Sequence, residues 1–423
     1  MRLFTGIDVG TSACRACAID ERGRILAQAR HDLPLPRRQG DAVEQDADTW
    51  WQALVQTLDA LNRKIDSARV HRVAVDATSG TLLLCTPDGT ACTPGLMYND
   101  TRAVAEARRI ARVAPADSAA RGASSGLAKL LYLRSRLGDG DYLALHQADW
   151  LTGKLTGQFG CSDENNALKS GYDPLLRRWP DWLGALSVTP RQLPEVLPPG
   201  TVIGTVSNAW RQRWGWPDET TVVAGTTDST AGFIATGADT PATAVTALGS
   251  TLVVKILSQQ PVNAAAYGVY SHRLGDRWLV GGASSAGGAV LRKWFGPCDI
   301  HRYTRLLQPE RPTGLDYYPL PARGERFPVA DPLLEPRLEP RPPSDAQFFQ
   351  GILEGLAHIE LRAYRLLTEL GAPWPAQVLS VGGGAANPGW TEIRRQLLKV
   401  PVTRAQHQEA AYGAALLALH GPP

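Results

Sequence analysis

A run of apolar strands followed by helices occurs once in each half of the chain, and this repetition constrains the fold more than any other feature. In the first half, apolar runs and helical spacings predict a β-β-β-α-β order over residues 4–7, 15–19, 24–29, 48–65 and 70–75. In the second half, they predict strands and helices over residues 221–224, 244–248, 251–257, 278–280, 348–370, 378–381 and 390–398. The repeat predicts a duplicated α/β fold, with domains over 1–220 and 221–423.

The composition is that of an ordinary globular protein. Its 423 residues predict two domains, and the fractions of hydrophobic (43%) and charged (20%) residues are typical. The formal net charge is +3 and the Lys and Arg residues are not clustered, so we expect no nucleic-acid partner. No segment approaches the roughly 18 apolar residues of a membrane helix. The N-terminus does not resemble a signal peptide, so we expect a cytoplasmic protein with no membrane partner.

Cys14 and Cys17 form a C-x-x-C pair, which in other proteins carries redox or metal chemistry. Cys17 lies in a predicted strand, and the remaining cysteines form no matching second pair. We therefore predict buried free thiols.

The first candidate for phosphate chemistry is GIDVGTSACR at residues 6–15. An apolar strand brings Asp8 to its end, and Gly10 allows a tight turn. Thr11 and Ser12 then present backbone N–H groups and hydroxyls, which can hold a phosphate beside a carboxylate that binds Mg²⁺. A plain hairpin turn is the alternative interpretation.

The second candidate is AGTTDSTA at residues 224–231, which follows a buried strand. Asp228 lies where a helix is predicted to begin. The carboxylate is either a helix N-cap or a general base held at a strand-to-helix turn.

Two glycine-containing loops complete the set. Gly249, Ser250 and Thr251 form a small-residue turn between two predicted strands, and SVGGGAAN at 380–387 is a strand that continues into a glycine loop. Such loops allow the backbone to approach a nucleotide closely. Neither loop is a G-x-G-x-x-G or Walker sequence, so Rossmann and P-loop folds are disfavoured.

Together, and in this order, these segments resemble the FGGY carbohydrate kinase family of the actin-like ATPase superfamily. Further similar segments are YNDTR (98–102), ADWLTGKLTG (148–157), DENNA (163–167), GYD (171–173) and GILEGL (351–356). The resemblance covers nearly the whole chain. It departs at Tyr98, where the family has Trp, and at Leu131, which replaces a Trp two residues after Lys129.

The resemblance implies an α/β fold of two actin-like (ribonuclease H-like) domains around a central cleft. It implies ATP-dependent phosphorylation of a sugar hydroxyl, with Mg²⁺ and ATP as cofactors. Asp228 would be the catalytic base and Asp8 would bind Mg²⁺–ATP. The remaining ATP-binding residues would be Thr11, Ser12, Gly249, Ser250, Thr251, Gly383, Gly384 and Asn387, with the adenosine on the C-terminal domain.

The sugar would contact Asp76, Thr78, Ser79 and Asp228. The segment DATSG (76–80) has small hydroxyl side chains at positions where related kinases carry larger polar residues. In this segment and in its compact length, the chain most resembles a cyanobacterial and plant group of kinases that acts on D-ribulose. D-xylulose or a polyol is the alternative substrate, and a nucleotide-binding regulator or an inactive sugar-binding relative is the alternative function. The sequence indicates neither the oligomeric state nor the role of the Pro/Arg-rich loop at 315–343.

Overall fold

The computed structural model describes residues 1–138 and 140–422, which form two compact units. Unit 1 contains Met1–Ala235, His272–Asp276 and Glu409–Pro423, and unit 2 contains Thr236–Ser271 and Arg277–Gln408. No helix within the described residues is both long and apolar enough to cross a membrane.

The strands and helices alternate as the sequence predicts. The strands are β1 (Leu3–Val9), β2 (Ala13–Ile19), β3 (Ile25–Asp32), β4 (Arg37–Gln39), β5 (Ala42–Gln45), β6 (Val70–Ala77), β7 (Leu82–Cys85), β8 (Gly95–Leu96), β9 (Leu143–His146), β10 (Cys161–Asp163), β11 (Glu195–Leu197), β12 (Val202–Thr205), β13 (Thr221–Thr227), β14 (Thr243–Leu248), β15 (Leu252–Ser258), β16 (Tyr270–Leu274), β17 (Arg277–Ser284), β18 (Gln377–Val381) and β19 (Val402–Arg404). The α-helices are α1 (Ala47–Asn62), α2 (Val104–Ile110), α3 (Gly126–Leu137), α4 (Gln147–Thr156), α5 (Glu164–Ala167), α6 (Asn208–Trp214), α7 (Asp228–Ala235), α8 (Gly288–Trp294), α9 (Pro297–Thr304), α10 (Asp345–Glu369), α11 (Pro388–Leu398) and α12 (Ala410–His420).

The main sheet of unit 1 has the strand order β12-β13-β6-β1-β2-β3. Its centre is parallel, because β6 pairs in parallel with both β1 and β13, whereas the outer pairs are antiparallel. Every residue of β1 is buried, as expected for a strand covered on both faces. Residues of α1 and α4 belong to the core on one face, and residues of α12 belong to the core on the other.

Helix α12 packs directly on the backbone of β1, and no sequence pattern predicted this helix. A Cβ at Gly6 would lie 2.0 Å from the Ala411 carbonyl oxygen, and a Cβ at Gly413 would lie 1.8 Å from that of Ala231 in α7. Glycine is therefore required at both contacts, and these contacts hold α7 and β1 against the same helix.

Unit 2 repeats the topology of unit 1. The strands β17-β15-β14-β18-β19 are neighbours in this order, with β14, β18 and β19 parallel and the β14–β15 and β15–β17 pairs antiparallel. The arrangement matches β3-β2-β1-β6-β13 of unit 1 strand for strand. The predicted duplication is confirmed.

The boundary between the units differs from the predicted boundary at residue 220. The first division falls after Ala235, because β13 completes the parallel centre of the first sheet and α7 follows it within unit 1. The C-terminal segment also belongs to unit 1, because α12 packs on β1. Asp228 therefore lies in the same unit as Asp8.

The Pro/Arg-rich loop covers part of α10. A Cβ at Gly351 would lie 2.8 Å from the Leu315 side chain, and one at Gly355 would lie 2.9 Å from the Tyr317 carbonyl oxygen. The two glycines, one helical turn apart, let the loop lie directly on the helix.

Cys14 and Cys17 are buried free thiols, as predicted, and they belong to the cores on opposite faces of the first sheet.

A buried ion pair joins α10 to α11. Arg394 donates from Nε and Nη2 to the two oxygens of Glu360 at 2.6 and 2.7 Å, and from Nη1 to Ser380 Oγ at 2.7 Å. Both side chains are fully buried. The guanidinium thus connects these helices to β18.

Replacing Arg394 with Met should lower the free energy of unfolding by about 3–5 kcal/mol, because it leaves the Glu360 carboxylate buried and unpaired. Urea denaturation would measure the loss. The matched control is Arg395→Met, which removes the exposed pair with Glu392 and should cost at most about 1 kcal/mol. Equal losses in the two variants would contradict the role given to the buried pair.

Candidate active site

Three aspartates meet at one edge of the first sheet. Asp8 in β1 pairs in register with Asp76 in β6, and Asp76 pairs with Thr226 in β13. Asp228 follows two residues later, as the first residue of α7. Parallel strands end at the same edge of a sheet, so the ends of β1, β6 and β13 bring the three carboxyl groups together.

Burial and mutual repulsion dominate the electrostatics of this cluster. Burial, with the negative charge of Asp228, raises the pKa of Asp8 to about 6, although the Arg15 guanidinium opposes this shift. Arg15 Nη1 donates to Asp8 Oδ2 at 3.1 Å. Burial raises the pKa of Asp76 well above its usual range, and the charges of Asp8 and Asp228 raise it further.

Both carboxylate oxygens of Asp76 are buried and have no hydrogen-bond partner within 1–138 and 140–422. A hydrogen bond between Asp8 and Asp76 can form only when one of the two carries a proton. The cluster is therefore an unsatisfied site that a proton, a cation or a hydroxyl-bearing ligand would stabilise.

The carboxylate oxygens fit the donor preference of Mg²⁺, which takes oxygen ligands and is usually held by one or two carboxylates together with water and phosphate oxygens. Among the described residues, no group of three or more His, Cys, Asp and Glu side chains forms a complete metal site. Asp8 and Asp76 could supply only part of a coordination shell, and that suits a cation that arrives with phosphate.

The β1–β2 turn lies against this cluster. The Gly10 N–H donates to the Ala13 carbonyl at 3.0 Å, and a Cβ at Gly10 would lie 4.0 Å from Asp8 Oδ1. Thr11 is half-buried and Ser12 is exposed. The structure thus brings these predicted phosphate-binding residues beside Asp8, with the Ser12 hydroxyl at the surface.

The predicted sugar-contact residues after β6 differ in whether their side-chain hydroxyl groups already have hydrogen-bond partners in the protein. Thr78 Oγ1 lies 2.6 Å from Thr81 Oγ1 and donates to Gln147 Oε1 at 2.8 Å, so its hydroxyl is already engaged. The Ser79 hydroxyl is buried and lacks a partner in the described part of the chain. Ser79 and Asp76 are therefore the better candidates for direct ligand contact.

A cavity of about 700 Å³ lies in unit 2 and includes most of the predicted nucleotide residues. Gly249, Ser250, Gly383, Gly384 and Asn387 line it, whereas Thr251 does not. The other lining residues are Leu248, Gly288, Leu291, Arg292, Pro297, Ile300, His301, Thr304, Phe349, Leu353, Ala386 and Trp390. Its volume is that of a small-molecule site.

The glycines of this cavity have different roles. A Cβ at Gly384 would lie 2.5 Å from the Trp390 ring, so Gly384 is needed for packing. A Cβ at Gly383 would meet no protein atom within 4 Å. Asn387 caps α11, since its Oδ1 accepts from the Trp390 N–H at 2.9 Å, and its Nδ2 donates to Thr304 Oγ1 at 3.2 Å.

Family comparison decides what kind of protein carries these two sites. Residues 3–126 and 139–235 match the N-terminal domain of the FGGY family of carbohydrate kinases, and residues 244–421 match its C-terminal domain. The chain belongs to the FGGY family. It is a carbohydrate kinase, a phosphotransferase with an alcohol group as acceptor.

Relatives of this kinase act on several alcohols. A xylulose kinase from Streptomyces coelicolor is 28% identical, over 98% of this chain and 86% of the relative. The structure of ligand-bound xylulose kinase from Lactobacillus acidophilus has a TM-score of 0.86 at 19% identity, covering 99% of this chain and 89% of the other. The structure of Plasmodium falciparum glycerol kinase with ADP has a TM-score of 0.87 at 15% identity, with coverages of 99% and 89%. The actin-like two-domain α/β fold is confirmed, and it does not by itself distinguish these alcohols.

Two residues that line the cavity of unit 2, Gly288 and Arg292, were not among the predicted site residues. Arg292 in α8 donates from Nη2 to Ser250 Oγ at 2.7 Å, and the Gly288 N–H at the start of α8 donates to the Gly249 carbonyl at 2.9 Å. The sequence signal was the glycine pair Gly287–Gly288, at which α8 begins. Arg15 was quoted within the first motif, but its ion pair with Asp8 follows only from the antiparallel register of β1 and β2.

Replacing Asp76 with Asn should raise the melting temperature in magnesium-free buffer, and by more at pH 8 than at pH 5. The pKa of this carboxyl is higher in the folded than in the unfolded state, so the folded protein binds the proton more tightly and loses stability as the pH rises above about 4. The amide removes this loss.

Thermal unfolding at the two pH values measures the effect. The control is Asp59→Asn: hydrogen bonds from Arg213 lower the pKa of Asp59, so this variant should not gain stability at pH 8. If Asp76→Asn had the same melting temperature as the wild type at both pH values, the conclusion that the Asp76 carboxyl is buried and unsatisfied would be contradicted.

Proposed function

We propose that this kinase transfers the γ-phosphoryl group of ATP, with Mg²⁺, to a hydroxyl of a ketopentose. One observation carries the proposal: Asp8, Asp76 and Asp228 converge at one edge of the first sheet, and the oxygens of Asp76 lack partners among the described residues. A phosphoryl acceptor needs a base and a cation-binding carboxylate close together, and this edge supplies both.

Asp228 is the proposed base. Its carboxylate is partly exposed at the first residue of α7, and its Oδ1 accepts from the Ser229 N–H at 2.6 Å. As the sugar oxygen bonds to phosphorus and the bond from phosphorus to ADP breaks, Asp228 accepts the hydroxyl proton.

Asp8 is the proposed magnesium-binding residue, and Arg15 holds its carboxylate in place. When bound, Mg²⁺ neutralises charge on the phosphates. The N–H groups and hydroxyls of Thr11 and Ser12 would bind the β- and γ-phosphates from the same side.

The cavity of unit 2 is the proposed nucleotide site, which assigns the adenosine side to unit 2 and the sugar side to unit 1. Gly249 and Ser250 would contact the phosphates, with Arg292 fixing the Ser250 hydroxyl. Thr251 would support this turn from outside the cavity. Gly383 would let the nucleotide approach the backbone, whereas Asn387 would shape the site as the cap of α11.

D-xylulose is the first candidate substrate, because the Streptomyces and Lactobacillus relatives are named xylulose kinases. D-ribulose, which the sequence favoured, is the second, because the small hydroxyl side chains Thr78 and Ser79 follow the buried Asp76. Sugar-dependent ADP formation across D-xylulose, D-ribulose, ribitol, arabitol and glycerol tests the proposal. A nucleotide-binding regulator would bind ATP but form no sugar-dependent ADP with any of them.

Replacing Gly383 with Val should weaken ATP binding without affecting the fold. The new side chain would enter open space in the cavity rather than clash with protein atoms. Calorimetric titration with an ATP analogue measures the affinity, and we expect a loss of at least about tenfold. The control Gly122→Val also adds a side chain in open space, but outside the cavity. Equal affinities in both variants would remove Gly383 from the nucleotide site.

Replacing Asp228 with Asn should lower kcat by about 10²–10⁴-fold and leave ATP affinity nearly unchanged, because the amide keeps the size but accepts no proton. Asp8→Asn should instead impair every Mg²⁺-dependent step, including any background hydrolysis of ATP. If Asp228 only stabilised its helix, Asp228→Asn would keep normal turnover and lose about 1 kcal/mol of stability. Turnover and melting temperature measured on one sample distinguish the two roles.

A further inference from the structure

The second sheet of unit 1 brings three chain segments to one end. Its strand order is β4-β5-β8-β7-β9, and Leu82 of β7 pairs antiparallel with Leu96 of β8 on one side and with His146 of β9 on the other. Because both partners run opposite to β7, the residues that follow β8 and β9 lie beside those that precede β7. Residues 97–99 and Gln147 therefore flank residues 78–81.

A buried lysine fixes one side of this arrangement. Lys129 Nζ donates to the Gly80 carbonyl at 2.6 Å and to the Met97 carbonyl at 2.7 Å. A single nitrogen therefore holds the segment containing Ser79 against the segment containing Asn99. Next to Asn99, the buried Asp100 carboxylate accepts from the Val43 N–H at 2.7 Å, so the backbone at this point is anchored.

Gln147 fixes the other side. Its N–H donates to the Thr81 carbonyl at 3.1 Å, and its side-chain Oε1 accepts from Thr78 Oγ1 at 2.8 Å. The side chain is fully buried. Its conformation is thus set by Thr78, the residue before Ser79.

One polar atom on each of these three side chains is buried and unsatisfied within residues 1–138 and 140–422. The atoms are Ser79 Oγ, Asn99 Oδ1 and Gln147 Nε2. Buried polar atoms without partners destabilise a protein, so three on neighbouring segments indicate a ligand that completes their hydrogen bonds.

We propose that Asn99 and Gln147 determine sugar specificity by binding hydroxyl groups of the substrate on either side of Ser79. The inference rests on the proposed sugar kinase function and extends its site to two residues that were not among the predicted site residues. Asn99 Oδ1 accepts a hydrogen bond from one hydroxyl, and Gln147 Nε2 donates a hydrogen bond to the oxygen of another. Ser79 Oγ can do either. An acceptor, a donor and a hydroxyl match a neutral polyhydroxy chain, because each sugar hydroxyl both donates and accepts.

The test uses two single variants of the full chain. Asn99→Ala removes a partly exposed side chain and so carries little risk to folding. Gln147→Glu keeps an acceptor oxygen for Thr78 while removing the Nε2 donor. The matched control is Asn208→Ala, at an exposed position in the first turn of α6.

Sugar binding is measured by calorimetry without nucleotide, and the KM values for sugar and ATP are measured separately. Each variant should weaken sugar binding and raise the sugar KM by about tenfold, with the ATP KM unchanged. A deoxy ketopentose that lacks the hydroxyl bound by Asn99 should bind weakly to the wild type. Its affinity for the wild type should be about the same as the affinity of the complete sugar for Asn99→Ala. A structural role would not produce this dependence on one hydroxyl.

Variants that bind and phosphorylate the sugar as the wild type does would overturn the inference and leave the proposed function standing. A wild type that binds sugar without sugar-dependent ADP formation would overturn the proposed function alone. If the wild type bound none of the sugars and polyols in the panel, both would fail.

Discussion

The parallel pairing of β1, β6 and β13 is the constraint on which the proposed catalytic chemistry depends. Backbone hydrogen bonds hold neighbouring strands about 4.8 Å apart, so Asp8 and Asp76, which are paired in register, cannot move away from each other. The repulsion between them is tolerated because buried residues on both faces hold the sheet. The same pairing places Asp228 beside them, since β13 ends next to β6.

The two units show how one topology serves two kinds of chemistry. Near its end, the β1–β6 pair has Asp8 opposite Asp76, whereas the β14–β18 pair has Ala247 opposite Val381. Carboxylates at the first sheet suit proton transfer and cation binding. The apolar residues and glycines at the second leave a 700 Å³ cavity in which backbone can approach a ligand. The two units differ in the residues at the ends of these strands, since the order and direction of the strands are the same in both.

Buried charge is handled in opposite ways in the two units. In unit 2, Arg394 and Glu360 satisfy each other, so this buried pair connects helices to β18 without needing a ligand. In unit 1, Asp76 is buried and its carboxylate oxygens have no partner in the part of the chain that the structure describes. A residue that destabilises the free protein is expected where a ligand supplies the missing interaction, and this contrast supports the proposal that Asp76 meets a ligand.

The sequence by itself determined the α/β class, the duplication, the family and the positions of Asp8, Asp228 and the glycine loops, because apolar periodicity and local turn chemistry are encoded within short segments. It did not determine that Asp228 belongs to the first unit or that α12 returns to β1. Nor did it determine that the Thr78 hydroxyl is engaged while Ser79 Oγ, Asn99 Oδ1 and Gln147 Nε2 have no partner among the described residues. Each of these depends on strand order and register between residues far apart in the chain. Only the tertiary structure decides them, because hydrogen-bond partners and burial are properties of the packed molecule.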